Sequence, residues 1–240
     1  MKKLLIAVLF TLSTAFAYSQ FSFTYNGREY HVLKTSKFKD VAGKEYDYKG
    51  MQLYMMGGEH EILPANPKDA SKGFLMSPIS KEEQLKRVMG APKPAETKFF
   101  KTGKKFDSFS AYDMNSNLVD SKELKGKVMV INFWFTTCPP CKQERPYLNK
   151  IVDDYKADSN VVFIAIALDR KQQLEPFLKE NDFKYNVIPD GKKITDSYDV
   201  SSFPTQVIVS KEGKIAFHTV GYYNVTDYWM RKTIDELKGK

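Results

Sequence analysis

The chain is poor in metal ligands, with only two cysteines and three histidines in 240 residues. A zinc site takes about four ligands, and His31, His60 and His218 are scattered with no second ligand pair nearby, so structural zinc is excluded. No cysteine stands near the N-terminal apolar segment, which argues against a lipid-anchored lipoprotein. That segment is apolar only from Leu4 to about Leu12, is diluted by Thr11, Ser13 and Thr14, and falls short of the roughly 20 residues that span a bilayer. An arginine-rich block is also missing. The net charge of +8 is spread over lysines along the whole chain, which gives a nucleic-acid partner no support. Internal repeats and low-complexity tracts are lacking too.

What is present begins with MKKLLIAVLFTLSTAFAYSQ, which has a basic start, a short apolar run and small residues around Ala15 and Ala17. This is the anatomy of a secretory signal, expected over residues 1–19. Cleavage after Ala17 or Ser19 removes Lys2 and Lys3 and leaves a charge of +6. The location expected is exported, periplasmic, with membrane association only if the segment is retained as an anchor. The remainder, with 42% hydrophobic and 28% charged residues, has the balance of a soluble globular protein.

Export permits disulfides to persist, and the two cysteines lie in WFTTCPPCKQERP, residues 134–146. A staple between Cys138 and Cys141 closes almost no loop and restricts the unfolded chain little. With zinc excluded, the spacing points to a pair that passes electrons.

Within residues 20–90, FSFTYNGREYHVL alternates aromatic and polar residues around Asn26-Gly27, a hairpin signal. YDYKGMQLYMMGG reads as a second short strand pair, and a helix capped by Ser80 ends on Gly90. This predicts a small, β-rich accessory domain, followed by a linker at residues 91–98 with two prolines. Over 99–240, strand and helix alternate. SFSAYD and LVD form a short pair; KVMVINFWF and VVFIAIAL are runs apolar enough for strands buried on both faces. A helix starts at Pro139, where a missing N–H is tolerated. KQQLEPFLKEN is helical, TQVIV and KIAFHTV form a hairpin, and TDYWMRKTIDELKG is an amphipathic helix.

This order around a Cys-x-x-Cys at a strand-to-helix junction predicts an α/β, thioredoxin-like fold, a central mixed sheet flanked by helices. GKKFDSF, LKGKVMVINFW, CPPCKQERP and SFPTQVIVSKEGKI resemble the TlpA/ResA group of exported thiol-disulfide oxidoreductases, over somewhat more than half the chain. The resemblance does not extend to the segment before the linker. Departures from the group are Pro139 in place of an intervening Glu and Thr137 in place of Trp. Asn132 stands where cytosolic thioredoxins keep a buried Asp. Peroxidase chemistry needs Thr and Pro where this chain has Phe135 and Ile131.

Cys138, at the helix tip, is the expected exposed nucleophile, because helix-end N–H groups and the dipole favour a thiolate. Cys141, one turn on and facing inward, is the resolving thiol. Glu144 and Asp169 are the candidates for taking the Cys141 proton, and Glu144 matches the group's acid before the helix proline; Lys142 is surface charge. The resemblance implies a cis Phe203–Pro204 bond facing the cysteines, with the Phe203 backbone open to an extended substrate. Trp134, Phe203 and Thr205 are the expected substrate-binding residues. No cofactor is implied beyond the Cys138–Cys141 disulfide.

The partners expected are protein disulfides and an upstream thiol donor, with reduction the favoured direction and cytochrome c maturation the group's familiar task. The alternatives are an oxidase or isomerase, or a partner-binding or copper-binding module in which Met51, Met55, Met56 and His60 hold the metal. Tyr and Leu neighbours make packing the simpler role for that cluster.

Overall fold

The computed structural model describes residues 21–239, so the expected signal segment lies outside the described residues. The chain divides into two compact units, the first ending at Lys86 and the second beginning at Arg87.

In the first unit, β1 (Phe21–Tyr25) and β2 (Arg28–Val32) form the expected hairpin. Asn26 and Gly27 both take positive φ, 49° and 77°, as a two-residue turn of matching twist requires. β3 (Phe38–Asp40) pairs with β4 (Glu45–Tyr46). The strand pair expected next is instead largely a helix, α1 (Tyr48–Met55). Asp47 caps it by accepting the Gly50 amide at 2.7 Å. Met51 and Met55, one turn apart, both join the apolar cluster of Phe23, Phe38 and Phe74. Gly50 sits in the first turn and Gly57-Gly58 after the end, so these glycines punctuate a helix rather than strands. β5 (His60–Pro64) and β6 (Phe74–Pro78) complete a sheet of order β4-β3-β6-β5. Met51 is fully buried in this core and His60 packs on Tyr54 at 4.4 Å. Packing accounts for both.

Helix α2 (Lys81–Gly90) starts after Ser80, whose hydroxyl accepts the Glu83 amide at 3.2 Å. Residues 91–98, expected as a linker, fall within the second unit. Their end is fastened there because the buried Nδ1 of His218 needs a donor, and the Thr97 amide supplies it at 3.0 Å. After the hairpin β7 (Ser110–Tyr112) and β8 (Leu118–Asp120) come β9 (Val128–Trp134), α3 (Pro139–Tyr155), β10 (Val161–Ala167) and α4 (Lys171–Glu180). The chain continues through β11 (Asn186–Ile188), α5 (Lys192–Ser197), β12 (Thr205–Val209), β13 (Ile215–Val220) and α6 (Thr226–Lys238). The sheet order is β11-β10-β9-β12-β13; β9, β10 and β11 run parallel, β12 runs antiparallel to β9, and β13 runs antiparallel to β12.

β9 is buried from end to end, and its alternate residues face opposite layers. Val128, Val130 and Trp134 pack with Leu148 and Ile151 of α3 and with Met230 and Ile234 of α6. Met129, Ile131 and Phe133 pack with Phe100, Phe106 and Tyr198 on the other side. Asn132 has the parity of the first set, which places a polar side chain under α3.

Candidate active site

β9 ends at Trp134 and the chain crosses to α3 through Phe135, Thr136 and Thr137. Asp169, just past β10, holds this crossing: its carboxylate accepts the Thr136 amide at 2.8 Å and the Thr136 hydroxyl at 2.6 Å. Both oxygens are thereby engaged in fixing the loop.

Cys138 is the N-cap of α3 and is disulfide-bonded to Cys141, with Cα atoms 5.3 Å apart. The first four amides of a helix have no intrahelical partner, but Pro139 and Pro140 carry no N–H and the Lys142 amide donates to the Cys138 carbonyl. Among the described residues, the Cys141 amide alone points at the Cys138 sulfur, at 3.3 Å. Thiolate stabilisation at this tip therefore comes from one amide and the dipole.

Cys138, expected exposed, is 2% exposed. In the bonded state its sulfur turns into the cluster with Trp134 and Cys141, while Thr137 and Pro139 on either side are exposed. The tip is at the surface and the sulfur is recessed within it.

Thr205 pairs with Phe133, one residue short of the end of β9, so Phe203-Pro204 lies at the cysteine end of the sheet. The Phe203–Pro204 bond is cis, as expected. The Pro204 carbonyl accepts the Gly221 amide at 2.8 Å. Phe203 is half-buried, packs against the cluster that holds both cysteines, and meets Phe135 edge-on at 5.4 Å. Trp134 and Thr205, both expected to touch substrate, are buried. Because β9 is covered on both faces, the Trp134 ring packs inward on Phe177 and Phe183. The Thr205 hydroxyl donates to the Ser202 carbonyl at 2.8 Å. These two support the site from beneath, and Phe203 with Phe135 forms the apolar surface beside the sulfurs.

Glu144 is one turn beyond Cys141 on α3 and is 1% exposed. Its Oε1 accepts Nδ2 of Asn132 at 2.8 Å and Nε2 of Gln206 at 2.9 Å, and no hydrogen bond reaches its Oε2. Burial pushes its carboxyl well above the usual range; the two amides oppose this and the Asp227 charge adds to it. A buried carboxyl whose pKa is raised, one helical turn from a thiol, can take up the thiol's proton when ionised and return it afterwards. Lys142 is exposed, as expected, with its ammonium 6.0 Å from the Phe177 ring. Gln206 was not anticipated; its signal was a lone amide in the otherwise apolar stretch TQVIV.

The family model described as Redoxin matches residues 101–237. The thiol-disulfide oxidoreductase ResA of Bacillus cereus (strain ZK / E33L) is 34% identical over 129 residues, 53% of this chain and 74% of that protein. ResA of Oceanobacillus iheyensis is 28% identical over 184 residues, 76% of this chain and 84% of its own length. A solved thiol:disulfide interchange protein from Bacteroides sp. superposes with a TM-score of 0.51 at 25% identity, covering 57% of this chain and 92% of that one.

Proposed function

The chain belongs to the redoxin family and is a ResA-like thiol-disulfide oxidoreductase, and from that premise we propose that it is exported and reduces the disulfides of partner proteins. The Cys138 thiolate attacks a partner disulfide, forming a mixed disulfide and releasing one partner thiolate. Cys141 loses its proton to Glu144 and attacks the Cys138 sulfur, re-forming the Cys138–Cys141 bond and releasing the second thiolate. Two electrons pass to the partner, and an upstream dithiol donor restores the pair. An extended partner segment laid along the Phe203 backbone reaches Cys138, in the manner of an added strand. The N-terminal signal anatomy supports export, and cytochrome c maturation is the task that the TlpA/ResA resemblance implies.

The observation that carries the direction is the single amide at the Cys138 sulfur. Strong oxidants of this chemistry owe their potential to a stabilised reduced form, and two consecutive prolines leave this thiolate poorly stabilised. The expected reduction potential lies toward the reducing end, nearer about −270 mV than about −120 mV, measured by equilibration with glutathione or dithiothreitol. Wild type is expected to reduce insulin. A potential above about −150 mV would assign the oxidase direction instead.

A further inference from the structure

We propose that Asn132 and Gln206 are positioning residues that clamp one oxygen of Glu144 and thereby dedicate the other, Oε2, to the proton exchanged with Cys141. The inference rests on the disulfide-exchange reading and adds how the acid is oriented.

Asn132 and Gln206 face each other directly across the antiparallel β9–β12 ladder. Directly opposed residues project to the same side of a sheet, here the side covered by α3. Both amides reach Glu144, and both donate to the same atom, Oε1. All three side chains are buried. A carboxyl oxygen that accepts two N–H bonds takes the carbonyl role, so in the neutral acid the proton resides on Oε2. The Oε2 atom receives no hydrogen bond, and Glu144 lies three residues from Cys141 on one helix, a spacing that puts side chains on a shared face. Glu144 therefore gains and loses its proton at one defined atom, Oε2, on the helix face that it shares with Cys141.

The same strand connects the clamp to the substrate site. Gln206 lies two residues after Pro204, so the segment that positions the cis bend also positions the acid. The groups that bear on Glu144 from packed elements are few. Cys141 shares its helix, Asp227 on α6 opposes its ionisation, and Tyr185 ahead of β11 senses both carboxylates, with Arg231 of α6 acting oppositely. β9 and β12 contribute uncharged amides here.

During resolution the ionised form of Glu144 takes the proton from the Cys141 sulfur on Oε2 and then passes it to the departing partner thiolate. The atoms balance with no further reactant. Removing a clamp amide takes away a donor that favours the ionised acid, so proton uptake from Cys141 requires a higher pH.

The test is the pH profile of mixed-disulfide resolution by rapid acid quench, with full-length Gln206→Met and Asn132→Leu, each alone and combined with Glu144→Gln. Gln206→Met should slow resolution at pH 7 about tenfold and move the profile to higher pH. In the Glu144→Gln background the same change should leave the profile unaltered. Equal slowing in both backgrounds, or an unmoved midpoint, overturns the clamp. Should the variants not fold, infrared difference spectra of wild type against Glu144→Gln at pH 7 decide the matter. A protonated carboxyl band lowered by two hydrogen bonds supports it, and an ionised carboxylate overturns it. If wild type fails to exchange disulfides at all, the functional reading falls, independently of that band.

Discussion

Replacing Cys138 with serine should lower insulin reduction by at least about a thousandfold, because the thiolate is the attacking species and a hydroxyl at this position stays protonated. Cys141 cannot substitute for it. Its sulfur lies one turn inside the helix and buried in the cluster with Leu148 and Trp134, so a partner disulfide that reaches the tip meets residue 138 first. The substitution adds no bulk, and Phe135 and Phe203 keep their packing. The variant should therefore match reduced wild type by circular dichroism while losing activity. Retention of wild-type activity would remove the sulfur pair from the chemistry altogether.

Glu144→Gln should slow the resolving step about a hundredfold at pH 7, within the range by which a positioned base accelerates proton transfer, and should at the same time raise stability. The sign follows from linkage. Burial lifts the Glu144 carboxyl well above its ordinary value of 4.5, so above that pH the folded chain retains a proton that the unfolded chain has lost. Stability then declines as pH rises from the unfolded value toward the folded one. Glutamine carries no such charge, and its carbonyl can accept both clamp amides. The variant should equal wild type in melting temperature near pH 4 and exceed it at pH 7 to 8, as thermal unfolding across pH will show. Lower activity with higher stability separates a proton carrier from a structural residue, whose loss would reduce both.

The redox unit was largely legible from residue order. KVMVINFWF announces a strand covered on both faces, and Pro139 after Cys138 marks the helix start. Phe203-Pro204 locates the cis bend by resemblance to the TlpA/ResA group. Other features depend on register and burial, which no local pattern carries. Gln206 looks like an edge amide until pairing sets it opposite Asn132, and Glu144 looks like a solvated helix acid until the sheet is laid beneath it. Trp134 lies in the cluster with both cysteines, and strand parity turns its ring inward. The depth of the Cys138 sulfur follows from where the bonded pair points, a tertiary property. In the first unit, the glycines around α1 suggest strands, whereas the capping Asp47 and the one-turn spacing of Met51 and Met55 carry the helix. The three-residue β11 has too few residues to show any period.

The most direct measurement is to trap the covalent intermediate. Reduced Cys141→Ser, in which only Cys138 can react, is mixed with a short extended peptide bearing a disulfide, and the intact mass is followed. One peptide thiol should be added per chain, mapped to Cys138 and released by wild-type resolution chemistry when Cys141 is restored. A chain that takes up no peptide under conditions where free thiols do would contradict an exchange reaction running through this site.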